Sequence, residues 1–316
     1  MKPTVLLTGG FGNLGGRLAA SLHHSGNWNV RLASRTHRNA PSWAPDAEVV
    51  HLDLLKNSGV LDACKGVDSV IHLAALNDRE AVTHPELAAA LSGEGTRLLA
   101  DAAVDQGVKR FLFMSTSHVY GSPLEGTINE SSSTYCTHPY ATSHLAGEHV
   151  VLSKHEQGKL LSFRIRCANG FGFPLDPSVN IWHVLMYDLC RQVASHGFMT
   201  LNSSGVQRRN FIPVTDICGA LTHFLTLDQT RIGDGLFNLG GPISNSVLEM
   251  AEKVAVRSKA VLGIDPQILR PEVSPKDNSG ELDYQISKLV STGFNPSNNV
   301  DFEIDRLLTM CKELSL

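Results

Sequence analysis

In the segment PYATSHLAGE, residues 139–148, a tyrosine stands four places before a histidine. The segment reads as a helix, and on a helix residues at i and i+4 share a face. His144 is therefore expected beside Tyr140. A tyrosine can move a hydroxyl proton if its pKa of about 10 is brought toward neutrality. A neighbouring cation does that, and each pKa unit is worth about 1.4 kcal/mol. An imidazole with an ordinary pKa of about 6.5 would be charged only part of the time near pH 7. An ordinary half-buried helix tyrosine is the alternative for Tyr140.

A second cluster lies at the start of the chain. TGGFGNLGG, 8–16, follows an apolar β-branched run and opens a helical pattern. Gly9, Gly12 and Gly15 have the spacing G-x-x-G-x-x-G. Two of them let the backbone turn tightly and approach a pyrophosphate, and the third lets helix and strand pack closely. The helix start, with Phe11, Asn13 and Leu14 in the loop, offers N–H groups and a positive dipole end to phosphates. A purely structural glycine turn is the alternative.

A dinucleotide site of this kind usually has an acid at the end of the second strand, holding a ribose 2′-hydroxyl. LASRTHR, 32–38, has none. Ser34, Arg35 and Arg38 suit a 2′-phosphate instead, since a guanidinium matches phosphate bidentately. NADP(H) is therefore expected ahead of NAD(H), unless these arginines are only a solvated loop. Asp53, just after the third strand and before Leu54, is placed either to meet the adenine amino group or to cap a helix.

The elements that must carry these residues alternate along the chain. TVLLT (4–8), VRLAS (30–34), EVVHL (48–52), SVIHLA (69–74), RFLFMS (110–115) and LLSFRI (160–165) read as strands buried on both faces. Helical patterns run over 14–25, 55–65, 86–107 and 139–157. This order predicts an α/β fold, a doubly wound parallel sheet of Rossmann type. Its dinucleotide-binding domain would span 1–170, with 206–230 returning to it. Beyond residue 170 prolines punctuate shorter elements, so 171–316 is expected to be mainly a smaller, irregular substrate-binding domain. Residues 181–193 fit an amphipathic helix whose Met and aromatic positions suit core packing or a dimer surface.

Composition excludes some classes. With 27 Lys and Arg against 31 Asp and Glu, the net charge is -4, which gives no footprint for nucleic acid or an anionic membrane. No apolar run approaches the roughly 18–20 residues that span a bilayer, and the N-terminus does not read as a signal peptide. Six cysteines without a C-x-x-C pair read as reduced thiols in a cytoplasmic protein. No metal-binding spacing is present among the histidines, so no metal is expected.

With these residues in view, the chain resembles the extended short-chain dehydrogenase/reductases, specifically the NAD(P)-dependent nucleotide-sugar epimerases, dehydratases and reductases. HLAA (72–75) is similar to the family segment flanking the cofactor, which implies contacts from Leu73, Ala74 and Ala75. MSTSHVYG (114–121) is similar to the segment ending in VYG. It implies Thr116 as the residue bonding the reacting oxygen, Ser115 beside the cofactor and Ser117 beside the substrate. RCANGFG (166–172) resembles R-x-x-N-x-x-G and implies a substrate-phosphate contact for Asn169. GVQRRNFIPVTDI (205–217) resembles G-x-Q-x-R-D-F, implying that Gln207 and Arg209 hold a diphosphate. The resemblance covers roughly residues 4 to 225.

Three departures stand out. The lysine of Y-x-x-x-K is His144, the Asp of R-D-F is Asn210, and Ser117 and His118 replace the Asp-Glu pair of family dehydratases. In the family the lysine both lowers the tyrosine pKa and holds the nicotinamide ribose. Three consequences are open. His144 holds the ribose and assists Tyr140 weakly; another acid such as His118 acts; or binding survives without catalysis. Losing the Asp-Glu pair removes an evident couple for eliminating water. The resemblance thus implies hydride transfer between nicotinamide and a nucleotide-diphosphate sugar, in a homodimeric keto-sugar reductase or epimerase. The rival expectations are a cofactor-binding regulator without turnover and a reductase or isomerase of a non-nucleotide small molecule.

Overall fold

The computed structural model describes residues 2–275, 277 and 280–315. Seven strands form one parallel sheet in the spatial order Leu236–Leu239, Leu161–Cys167, Arg110–Thr116, Ser69–His72, Thr4–Thr8, Asn29–Ser34, Glu48–His51. The run TVLLT is central because it is apolar on both faces, and Val5, Leu6 and Leu7 are fully buried. Parallel pairing brings the carboxyl ends of adjacent strands to one edge. Thr8 is in register with His72, and Thr116 with Cys167. In an open α/β sheet that edge is where ligands bind.

The six expected strands are present, and the seventh corrects the expected boundary. LFNL, Leu236–Leu239, pairs with Leu161–Cys167 at the sheet edge, beyond the 206–230 expected to return to this domain. The helix expected over 55–65 shrinks to Val60–Cys64. Asn57 and Gly59 adopt positive φ, and a Cβ on Gly59 would meet the His51 carbonyl at 2.3 Å. That left-handed turn cannot be helical. The run expected at 86–107 is three pieces: Pro85–Ala89, a π-helical turn Ala90–Gly95, and Thr96–Asp105.

The helix Pro139–Glu156 carries Tyr140 and His144. Pro139 opens it with a pre-set φ, and His138 caps it, its Nδ1 accepting from the Tyr140 N–H at 3.3 Å. Gly147 lets the helix approach the sheet. A Cβ there would lie 2.4 Å from the Phe113 ring and 2.7 Å from the Ser92 carbonyl. Lower on the same face, Glu148 accepts from Ser115 Oγ and, through both its oxygens, from Arg166, with all three side chains buried. Removing one member of such a buried charged pair destabilises by about 3–5 kcal/mol.

A second layer is built around the three-stranded sheet Ser244–Ser246, Arg208–Pro213, Asn169–Phe171 and the helices Leu185–His196, Val247–Leu262 and Val300–Glu313. The amphipathic helix expected at 181–193 begins only at Leu185. Its Tyr187 is fully buried, accepts from the Gly172 N–H and meets Asn13 Nδ2 at 2.6 Å. A tie between the layers is Glu303, buried and gripped by Arg17 through two hydrogen bonds of 2.7 and 2.9 Å.

Candidate functional site

The glycine loop is shaped by close approach. Gly9 has φ +71, and a Cβ on Gly15 would lie 2.1 Å from the Gly9 carbonyl oxygen. Any side chain at either position must open the loop. The helix Asn13–Ser25 then begins without a side-chain cap and without an acid in its first turn. Its first N–H groups are left for an external anion. Thr8 Oγ1 holds the loop to the next strand, accepting from the N–H groups of Leu73 and Ala74 and bonding His72 Nδ1 at 2.6 Å. These residues fit a dinucleotide: a tight cradle, close backbone and an open helix end.

At the end of Asn29–Ser34 no carboxylate is found. Ser34 Oγ accepts from the Thr36 N–H at 3.3 Å and donates to the Thr36 carbonyl. Arg35 is exposed. Arg38 lies over the Phe11 ring, 4.9 Å from its centroid, directly beside the glycine loop. Asp53 Oδ1 accepts from the N–H groups of Leu55 and Lys56. Those bonds close a turn over residues 54–57 and cap no helix, since the helix starts at Val60 behind Gly59; Leu54 is buried.

Tyr140 and Thr116 come together across the helix–strand contact, and the Thr116 hydroxyl acts on the phenol as a hydrogen-bond partner. Thr116 Oγ1 also accepts from the His118 N–H at 3.3 Å. Burial pushes the Tyr140 pKa up to about 12, with Cys167 and Asp78 adding to the rise. Thr116 is the one group working against it.

His144 differs from the expectation of a partly charged imidazole facing the cofactor. Its ring is edge-on to Tyr140, centroids 4.5 Å apart, and 6.0 Å from Phe113. It is 4% exposed, and neither ring nitrogen has a hydrogen-bond partner among the described residues. Burial takes its pKa down to about 4, although the Met114 backbone and Glu148 act in the other direction. The physical reason is desolvation without a close counter-charge. Glu148, one turn further, is already committed to Arg166 and Ser115. His144 is thus a neutral side chain packed under Tyr140.

A cavity of about 390 Å³ opens in front of Tyr140, lined also by Asp78, His118, Tyr135, Cys136 and His138. The His118 ring is edge-on to Tyr140 at 6.5 Å. Arg209 is half-buried and bonds Gln207 Oε1 at 3.2 Å. Among the described residues no carboxylate lies within ion-pair reach of it. Burial lowers its pKa, because desolvation disfavours the charged form.

Other expected residues have structural partners. Asn169 Nδ2 donates to the Asn210 carbonyl at 2.9 Å. Asn210 donates to the Gly241 carbonyl and accepts from its N–H, at 3.0 and 2.8 Å. An aspartate could not donate, so this departure serves the backbone. Ser115 is buried on Glu148, and Ser117 is buried. Sequence reasoning missed Asp78, at the start of the helix Asp78–Thr83, and Tyr135 and His138, which precede the helix Pro139–Glu156. A histidine placed before Pro139 at a helix start was the one available signal.

A doubly wound sheet with a glycine cradle, and a Tyr–Thr pair at the same sheet edge, defines a nucleotide-cofactor fold of the short-chain dehydrogenase/reductase type. The sequence model described as the NAD dependent epimerase/dehydratase family matches residues 5–240, and the chain belongs to that family. It is 32% identical over 272 residues to the UDP-glucose 4-epimerase of Streptomyces lividans, covering 80% of each. It is 31% identical over 198 residues to the dTDP-D-glucose 4,6-dehydratase of Mus musculus, covering 60% of this chain. That match spans 51% of the mouse protein, so the chain spans about half the length of such relatives. Among solved structures, MoeE5 in complex with UDP-glucuronic acid and NAD has a TM-score of 0.80 at 24% identity, covering 99% of this chain and 100% of the other. UDP-glucose 4-epimerase from Thermotoga maritima, with UDP-glucose, also has a TM-score of 0.80, at 17% identity, covering 99% and 100%. These two share the fold. Among the described residues no helix is long and apolar enough to cross a membrane, and no group of His, Cys, Asp or Glu is placed to hold a metal.

Proposed function

We propose that this chain is an NAD(P)-dependent oxidoreductase or epimerase of nucleotide-diphosphate sugars, working as a keto-sugar reductase. The observation that supports the reading is an open glycine cradle and a Tyr140–Thr116 pair beside the parallel sheet, with, on the three-stranded sheet, a half-buried Arg209 lacking a carboxylate partner among the described residues. Bound nicotinamide dinucleotide supplies or takes up the hydride. Gly9, Gly12 and Gly15, with the N–H groups of Asn13 and Leu14, hold its pyrophosphate. Arg35 and Arg38 favour the 2′-phosphate of NADP(H), whereas the dinucleotide named with MoeE5 is NAD. Asn169, Gln207 and Arg209 hold the substrate diphosphate. Thr116 orients the reacting oxygen and Tyr140 transfers its proton. With a pKa pushed up to about 12, Tyr140 carries its proton at neutral pH, the form that donation needs, and is a weaker acid than a free phenol. Donation to a carbonyl is the proton step of ketone reduction, hence the reductase reading. Six free thiols suit a reducing cytoplasm, and a homodimer follows from analogy of fold.

The test is absorbance at 340 nm after protein loaded with reduced or oxidised dinucleotide meets a panel of UDP- and dTDP-sugars and their 4-keto forms. Oxidation of the reduced cofactor by a keto sugar, lost in Tyr140→Phe, is expected. No change with any member of the panel would reject the reading.

A second reading has its own observation. Among the described residues, nothing cationic acts on Tyr140 in the ligand-free site, which fits a cofactor-binding regulator without turnover. Tight dinucleotide binding with no 340 nm change would favour it.

A further inference from the structure

His118 lines the cavity beside Tyr140. Its ring edge faces Tyr140 at 6.5 Å. Arg209, on the strand Arg208–Pro213, and His138, at the cap of the Tyr140 helix, both act on it electrostatically. One carboxylate opposes them among the described groups: Asp78, on the helix Asp78–Thr83, itself 3.4 Å from His183. The His118 ring lines the cavity and its nitrogens make no hydrogen bond among the described residues. It is therefore free to take a proton from solvent. Burial first, then Arg209, hold its pKa below the ordinary value.

These charges depend on occupancy. A diphosphate on Arg209 cancels the repulsion from the guanidinium and adds negative charge near His118. Both changes favour imidazolium. We propose that His118 is the switchable cation of this site, neutral while Arg209 is bare and protonated once a diphosphate occupies it. It thereby supplies beside Tyr140 the positive charge that His144 does not. The inference rests on the proposed diphosphate role of Arg209. His118 acts here through Tyr140 as a charge-supplying residue. Its proton comes from solvent and no covalent step is involved. By linkage, ligand binding and proton uptake strengthen each other.

The sign of the effect follows. Binding raises the His118 pKa, so protons are taken up between the free and bound values. Uptake vanishes at a pH above the bound value. UDP itself has a phosphate titrating near pH 6 and would release a proton on meeting Arg209, which is the opposite sign.

The experiment is calorimetric titration of the full chain with UDP at pH 7, in buffers of differing ionisation enthalpy, repeated at pH 9. Wild type is expected to take up a proton on binding at pH 7 and none at pH 9. His118→Gln should bind UDP without uptake, His138→Gln should retain it, and Arg209→Ala should bind more weakly. Thermal unfolding of each variant checks folding, and His118→Asn serves if the glutamine variant is unstable. Arg209-dependent binding with no uptake, or with uptake that survives in His118→Gln, overturns the proposal and leaves the proposed function standing. UDP binding unchanged by Arg209→Ala, or absent altogether, overturns both.

Discussion

Tyr140 and His144 stack edge to face, ring centroids 4.5 Å apart, and the imidazole brings no charge to the pair. The i,i+4 spacing is that of a tyrosine and its activating cation, yet the second residue is buried with both ring nitrogens unpartnered. The helix geometry is retained and the electrostatics are not.

Restoring the cation is the direct perturbation. A lysine at 144 has the reach to bring its ammonium past the ring position toward the cleft, where it lowers the Tyr140 pKa. His144→Lys is expected to raise turnover in the oxidising direction at pH 7, by about tenfold per unit of pKa recovered. The alkaline limb of the pH–rate profile should move down. A fall in rate would instead make His144 a working part.

Acid stability follows from two buried histidines. His72 is held between Thr8 and Thr96, and burial takes its pKa to about 3; that of His144 falls to about 4. The unfolded chain binds protons at its histidines near pH 6.5 and the folded one does not. Their contribution is thus complete above pH 6.5 and is lost as pH falls toward 4. The slope is about 1.4 kcal/mol per pH unit for each group. Thermal melts should show Tm dropping below pH 6.5, more shallowly in His144→Phe. A flat profile from pH 7 to pH 5 would contradict the assignment.

Arg209 is the residue on which the proposed anion site rests. Charge-assisted hydrogen bonds contribute about 1.5–3 kcal/mol each. Arg209→Ala should weaken UDP binding by roughly tenfold to a hundredfold while leaving dinucleotide affinity alone. Arg209→Lys should restore part of it, since a point charge replaces a fork. Substrate affinity unmoved by Arg209→Ala would point to a non-nucleotide substrate.

The cradle is intolerant of a single methyl. With its Cβ 2.1 Å from the Gly9 carbonyl oxygen, Gly15→Ala must shift backbone, at about 1–3 kcal/mol. A lower Tm and at least tenfold weaker dinucleotide binding are expected by melting and calorimetry. Unchanged affinity would remove the loop from the cofactor site.

Much of the fold was legible because a parallel sheet buried on both faces leaves continuous apolar runs, as in TVLLT and RFLFMS. The seventh strand was not, since LFNL is four residues with a polar Asn238 whose backbone N–H is held by Glu130. The helix expected over 55–65 had helical composition, but left-handed Asn57 and Gly59 override its first half and leave Val60–Cys64. At the site, spacing pointed to Tyr140 and the family resemblance to Thr116 and Arg209; Thr116 ends a strand of the main sheet, whereas Arg209 lies on the three-stranded sheet. The state of His144 was not readable, because it depends on Phe113 and Gly147 setting how deeply the helix seats. The opposing cluster of Asp78, His118 and His138 comes from three separate segments, and only the fold juxtaposes it.

The central claim is that position 144 holds no cation. The measurement that tests it is the ¹⁵N-histidine NMR spectrum of the full chain, with the His144 ring nitrogens assigned by their absence in His144→Phe. The account predicts neutral-imidazole shifts unchanged from pH 8 to pH 5.5. Protonation of both ring nitrogens with a midpoint near 6.5 would contradict it and return His144 to the role of a titrating partner of Tyr140.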